Sequence, residues 1–141
     1  MLRIGKLKPH TPDKAEIERL LAAAERALKD ANMSRISSDG RLDLAYRAIM
    51  QTALVALLAN GFRPSTGEPG HHQLLIQALP KTLGLPAERV RLLDAFRAAR
   101  NRSDYDGVPV SHAVARECVE EARLLLEGLR AWLSINRPEL V

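Results

Sequence analysis

The sequence predicts an all-α fold, an up-down bundle of four to five helices. Three observations lead there. Ala, Leu, Arg and Glu dominate while aromatic residues make up only 4% of the chain, so local propensity favours helix throughout. Apolar residues recur at three- and four-residue spacing in several stretches. Between those stretches stand N-cap residues, prolines and glycines that start and stop helices. At 141 residues, with 46% hydrophobic and 27% charged side chains, the chain has an ordinary globular balance. We therefore read 1–141 as a single helical domain, with 1–10 as a flexible N-terminal segment.

The first helix is expected over Pro12–Ala31, with Thr11 as N-cap, Pro12 in the first turn, and Asp13 and Glu16 complementing the helix dipole. Ile17, Leu20, Leu21, Ala24 and Leu28 form its apolar stripe. The second, about Gly40–Asn60, follows the polar entry Ser37-Ser38-Asp39 and ends at Asn60-Gly61, a left-handed stop. From Leu44 to Ala59 its polar positions are Arg47, Gln51 and Thr52, a narrow wet stripe on a helix that otherwise needs covering. It is the expected centre of the bundle. Phe62–Gly70, rich in turn formers, reads as an exposed loop.

The third helix starts near His71 and ends before Gly84, with Leu74, Leu75, Ala78 and Leu79 inward and Pro80 kinking it or ending it early. The fourth opens at Pro86 and carries Val90, Leu92, Leu93, Phe96 and Ala99. The fifth follows Pro109 and its N-cap Ser111, running through Val114, Val119, Ala122, Leu125, Leu126 and Leu129 to Trp132.

Several function classes are set aside at this point. The longest unbroken apolar run, Ala53 to Ala59, is far short of the roughly 20 residues of a bilayer-spanning helix, and the N-terminal residues lack the apolar stretch of a secretory signal. A cytoplasmic protein without membrane attachment is the expectation. A lone cysteine, Cys118, excludes an internal disulfide and a multi-thiolate metal site, and reads as a small buried residue. No Gly-x-Gly-x-x-Gly loop or Gly-Lys-Ser run is present to cradle a phosphate, and no cofactor is implied. His71 and His72 are adjacent and diverge by about 100° on a helix, so they cannot grip a metal as an i, i+4 pair would; no metal site is expected. Two readings stay open for them: structural use as a helix-start hydrogen-bond partner or packed imidazole, which is favoured, or one facing the Arg100 turn while the other meets solvent.

The charge is unevenly placed. Five arginines (Arg89, Arg91, Arg97, Arg100, Arg102) against Asp94 give +4 between 89 and 102, whereas Asp104, Asp106, Glu117, Glu120, Glu121 and Glu127 against Arg116 and Arg123 give −4 between 104 and 127. Two readings stay open: two helices that attract each other, or a basic surface for an anionic partner. Within the basic stretch, Arg100 falls between Leu93 and Phe96 on the inward side of the fourth helix. A guanidinium there needs an acceptor, and Asp104, Tyr105 and Asp106 follow in what reads as a turn. It is either a structural brace with Asp104 or an anion receptor in a groove. Tyr46 and Tyr105 either pack in the core or stack on a base.

The run Arg100-Asn101-Arg102-Ser103-Asp104-Tyr105, ending the penultimate long helix of a small bundle, resembles the signature region of the HEPN superfamily (higher eukaryotes and prokaryotes nucleotide-binding). Gly70-His71-His72 and the passage Tyr105-Asp106-Gly107 into the last helix add to the likeness, which suggests a divergent bacterial branch. The resemblance implies a helical bundle that forms a homodimer. In active members it implies a metal-independent ribonuclease site built from an arginine, a following polar residue, and a histidine after four to six intervening residues. Carried over, the first two fall on Arg100 and Asn101, while the histidine's place, 105 to 107, holds Tyr105, Asp106 and Gly107. Cleavage through a ribose 2′-hydroxyl needs a group that exchanges a proton near neutral pH, which an unperturbed tyrosine serves poorly.

The expectation is therefore a HEPN-like homodimer that binds RNA, a nucleotide or a partner protein without efficient catalysis. Its candidate anion- or RNA-binding residues are Arg97, Arg100, Asn101, Asp104 and Tyr105, supported by His71 and His72. The alternatives are a toxin-like ribonuclease whose histidine comes from elsewhere in the fold, and a structural dimerisation module. By family analogy the setting would be a toxin–antitoxin pair with a nucleotidyltransferase-like partner.

Overall fold

Ser37 accepts a hydrogen bond from Gly40 N–H and so starts the helix that organises everything else, Ser38–Ala59. The computed structural model describes residues 7–65 and 71–141. In chain order these form β1 (Leu7–Pro9), α1 (Lys14–Ala31), α2 (Ser38–Ala59), β2 (Phe62–Pro64), α3 (His71–Thr82), α4 (Ala87–Asp106), α5 (His112–Asn136) and a short 3₁₀ turn, Pro138–Leu140. The all-α expectation is met, with a small antiparallel ribbon added. In it Leu7 pairs with Pro64, Lys8 with Arg63 and Pro9 with Phe62.

α2 packs mainly against α1 and α5, with α3 and α4 also touching it, which makes it the central helix. Leu42, Ala45, Tyr46, Ile49, Val55 and Leu57 are buried on its several faces. It is also long and apolar enough to cross a membrane by length and composition, since only isolated polar positions interrupt its apolar run. Here most of that stretch is buried inside the bundle. Polar clamps fix its ends. Arg41, buried in the first turns, donates to Ala31 O at 2.6 Å and closes the C-terminus of α1. Asp39 accepts from Val110 N–H at 2.8 Å, tying the α4–α5 corner to the start of α2. Arg137 donates to Ala59 O at 2.6 Å.

Several boundaries differ from the sequence reading. Asp13, not Thr11, caps α1, accepting from Ala15 N–H, because the chain up to Pro9 is engaged in the ribbon and turns only afterwards. The supposed flexible segment is held at Leu7–His10: Leu7 is buried, and His10 N–H donates to Gly61 O at 2.8 Å. Phe62–Pro64, expected as loop, is the partner strand; 66–70 lie outside the described residues, as do 1–6. α3 continues two residues beyond Pro80, which sits where the helix is about to end and few backbone bonds are left to lose. α5 runs four residues beyond Trp132. The Asn60-Gly61 stop holds, with the positive φ at Gly61.

Candidate nucleotide or RNA groove

α4 remains helical to Asp106, so Asp104 and Tyr105 extend the helix that carries Arg100 instead of forming a turn after it. Helical phase then decides which of them meet. Asp104, four residues on, stands 3.9 Å from Arg100 Nε, whereas Tyr105 points away and is 84% exposed. Leu93 and Phe96 are buried on the side of α4 that faces the bundle, and Arg100 continues that side into the seam with α2. Its side chain is 33% exposed. Across the seam, Asp43 Oδ1 lies 3.3 Å from Arg100 Nε, a closer partner than Asp104. The guanidinium carbon sits 5.4 Å from the centre of the Tyr46 ring, within cation–π range.

Tyr46 joins this arrangement to α3. Its ring meets that of His72 edge-on, with centroids 5.7 Å apart. Arg100, Tyr46 and His72 thus stand in sequence on three helices. They line a groove of about 590 Å³ together with Asp43, Leu44, Arg47, Met50 and Gln51. The wet stripe of α2 now has a location: Arg47 and Gln51 form part of the groove wall, while Thr52 is buried and donates to Ala48 O.

Burial pushes the Tyr46 hydroxyl up to about 12, with Arg100 and Arg97 pulling the other way. His72 is held below its ordinary value, first by partial burial and then by the nearby Arg100 charge. At neutral pH the groove therefore holds a protonated phenol, an unprotonated imidazole and two guanidiniums. Tyr46 Oη and Gln51 Oε1 are both buried, with no hydrogen-bond partner among the described residues.

The other expected site residues fall outside the groove wall. Arg97 is tied to Asp94 at 2.7 Å on its own helix, and its charge acts on Tyr46 and His72 from a distance. Asn101 is half-buried on a neighbouring side of α4. His71 is exposed and touches His72 edge-on. Among the described residues, no group of three or more His, Cys, Asp or Glu side chains is placed to hold a metal. Of the expected attraction between α4 and α5, one ion pair forms among the described residues, Arg89 with Glu121 at 3.1 Å. The α5 carboxylates Glu120 and Glu127 are taken by Arg123 of the same helix.

No curated protein matches the chain. A family model described as HEPN domain matches residues 17–132, from the first turn of α1 to near the end of α5, and so includes every residue that lines the groove. The chain, an all-α bundle matched by the HEPN model over residues 17–132, most of its length, belongs to the HEPN family.

Proposed function

We propose that this HEPN domain binds a phosphate-bearing ligand, RNA or a nucleotide, in the groove between α2, α3 and α4, without efficiently cleaving it. One observation carries the reading: Arg100 is held by Asp43 on the face of Tyr46 at the edge of a groove that Arg47 also lines. Arg47 has no ion-pair partner among the described residues. Arg47 thus adds a guanidinium beside Arg100, which Asp43 and Asp104 both face, and guanidinium pairs well with phosphate through paired N–H donors. Turnover is another matter. Tyr105 stands outside the groove, and the Tyr46 hydroxyl, raised to about 12, is a poor proton acceptor at neutral pH. A homodimer, and a nucleotidyltransferase-like partner in a toxin–antitoxin setting, belong to the same reading and are supported by the family resemblance.

A second reading is favoured by His72. Its imidazole lies in the same groove wall as Arg100, on the far side of Tyr46, and its depressed pKa keeps it available as a base. In that reading it replaces the missing motif histidine in a metal-independent ribonuclease.

One experiment separates them. Labelled RNA is incubated with the wild type, Arg100→Ala and His72→Ala, while binding is followed by fluorescence anisotropy and integrity on gels. The first reading expects intact RNA and at least about tenfold weaker binding for Arg100→Ala, the scale of one charge-assisted contact. Cleavage by the wild type that is lost in both variants would replace it with the second. Wild-type affinity retained by Arg100→Ala would remove the groove from both.

A further inference from the structure

Asp43, Arg47 and Gln51 recur every four residues along α2 and so share one face, the face that lines the groove. Eight residues of helix set Gln51 about 12 Å along the axis from Asp43, the residue that anchors Arg100. The groove is therefore long enough to be chemically different at its two ends. At one end stands the guanidinium of Arg100, with Arg47 midway along the wall. At the other, Gln51 brings an amide whose Oε1 is buried without a donor.

Buried polar atoms in folded proteins are normally partnered, so an amide carbonyl at a groove wall with no donor among the described residues has capacity to accept one from a ligand. Leu44 and Met50 add apolar and polarisable surface to the same wall. A bare phosphate would occupy the arginines and leave the amide unmet; a sugar adds hydroxyl donors but no flat apolar face to cover that surface. A nucleobase has what is missing: a flat apolar face, and an edge on which an N–H donor stands beside an acceptor. A carboxamide matches that edge with two parallel hydrogen bonds. The terminal torsion of a glutamine is broad, so the amide can turn its edge toward the groove at little cost.

We infer that Gln51 reads the edge of a nucleobase, with the base against Met50 and the phosphate at Arg47 and Arg100. The inference rests on the phosphate-binding reading above and names the part of the ligand that reading leaves open. The groove then recognises a nucleotide as a whole and discriminates against its sugar phosphate alone.

Calorimetric titration of the full chain with adenosine 5′-monophosphate and with ribose 5-phosphate tests this. The wild type binds the nucleotide about tenfold more tightly, the scale of one good bidentate contact. Gln51→Leu abolishes most of that difference. In the unmutated protein, the Gln51 side-chain amide resonances shift more on adding the nucleotide than on adding ribose 5-phosphate, a readout that needs no variant to fold. Equal affinities for the two ligands, a preference that survives in Gln51→Leu, or amide resonances unmoved by the nucleotide would overturn the role of Gln51 while leaving the phosphate groove standing. If neither ligand binds and RNA does not bind either, the groove itself falls and the base contact with it.

Discussion

Arg100 is half-sheltered, and its surroundings explain why it keeps its charge there. Asp43 offers an acceptor at 3.3 Å, the Tyr46 ring supplies its negative face, and a third of the side chain stays in contact with water. Its influence reaches His72, which leads to a titration result. The His72 ring protons followed by NMR should give a pKa below the ordinary 6.5, and Arg100→Ala should move it part of the way back, since burial, the larger cause, remains. The sign for stability follows. Between 6.5 and the lowered value the unfolded chain binds more protons than the folded one, so the contribution of neutral His72 is complete above 6.5 and is lost as pH falls through that window. At this scale the sequence told half of the site. The phase of α4 put Arg100 inward correctly, because that needs only its buried neighbours Leu93 and Phe96. Asp43 was not foreseen, because it is one acid among many on a different helix and only the α2–α4 crossing selects it. A turn at Tyr105 is what its place after Arg100 suggests, but α4 continues through it and the helical phase turns its side chain to solvent.

The helices themselves were legible from caps and periodicity, and their errors cluster where distant chain segments meet. Nothing local in Leu7–Pro9 or Phe62–Pro64 announces a strand. Each is three residues long and exists because the other is beside it. The end of α4 shows the opposite, a boundary fixed by one residue. Gly107 adopts φ +69, its N–H donates to Ser103 O, and Val108 N–H reaches Arg102 O, so the last carbonyls of α4 are met before the chain turns toward α5. A Cβ at Gly107 would touch nothing within 4 Å, so Gly107→Ala carries only the conformational cost of a left-handed backbone. We expect a loss of about 1 kcal/mol in urea denaturation with the slope unchanged. A change of several kcal/mol would mean that this corner supports more than the end of one helix.

For the whole molecule, stability and the candidate site share α2. Leu57, fully buried toward its C-terminal end, belongs to the core alone. Leu57→Ala should cost about 3 kcal/mol in thermal or chemical unfolding and leave ligand binding per folded molecule unchanged. If binding weakens together with stability, core and groove are coupled more tightly than their separation along the helix implies. Cys118 provides a matching check on the interior. Burial, with Glu117 and Glu121 nearby, raises its thiol above the ordinary value, so thiol reagents should modify it only as fast as the fold opens.

Around most of its circumference α2 is enclosed by α1, α5 and the other helices, and the strip occupied by Asp43, Arg47 and Gln51 is what remains for contact with the outside. One residue inserted midway along this cylinder would rotate everything beyond it by about 100°, carrying the amide into hydrocarbon and a leucine into water in the same stroke. Evolution can therefore retune what the protein recognises by exchanging side chains at these positions, whereas changes of length have to be absorbed in the joints between rods.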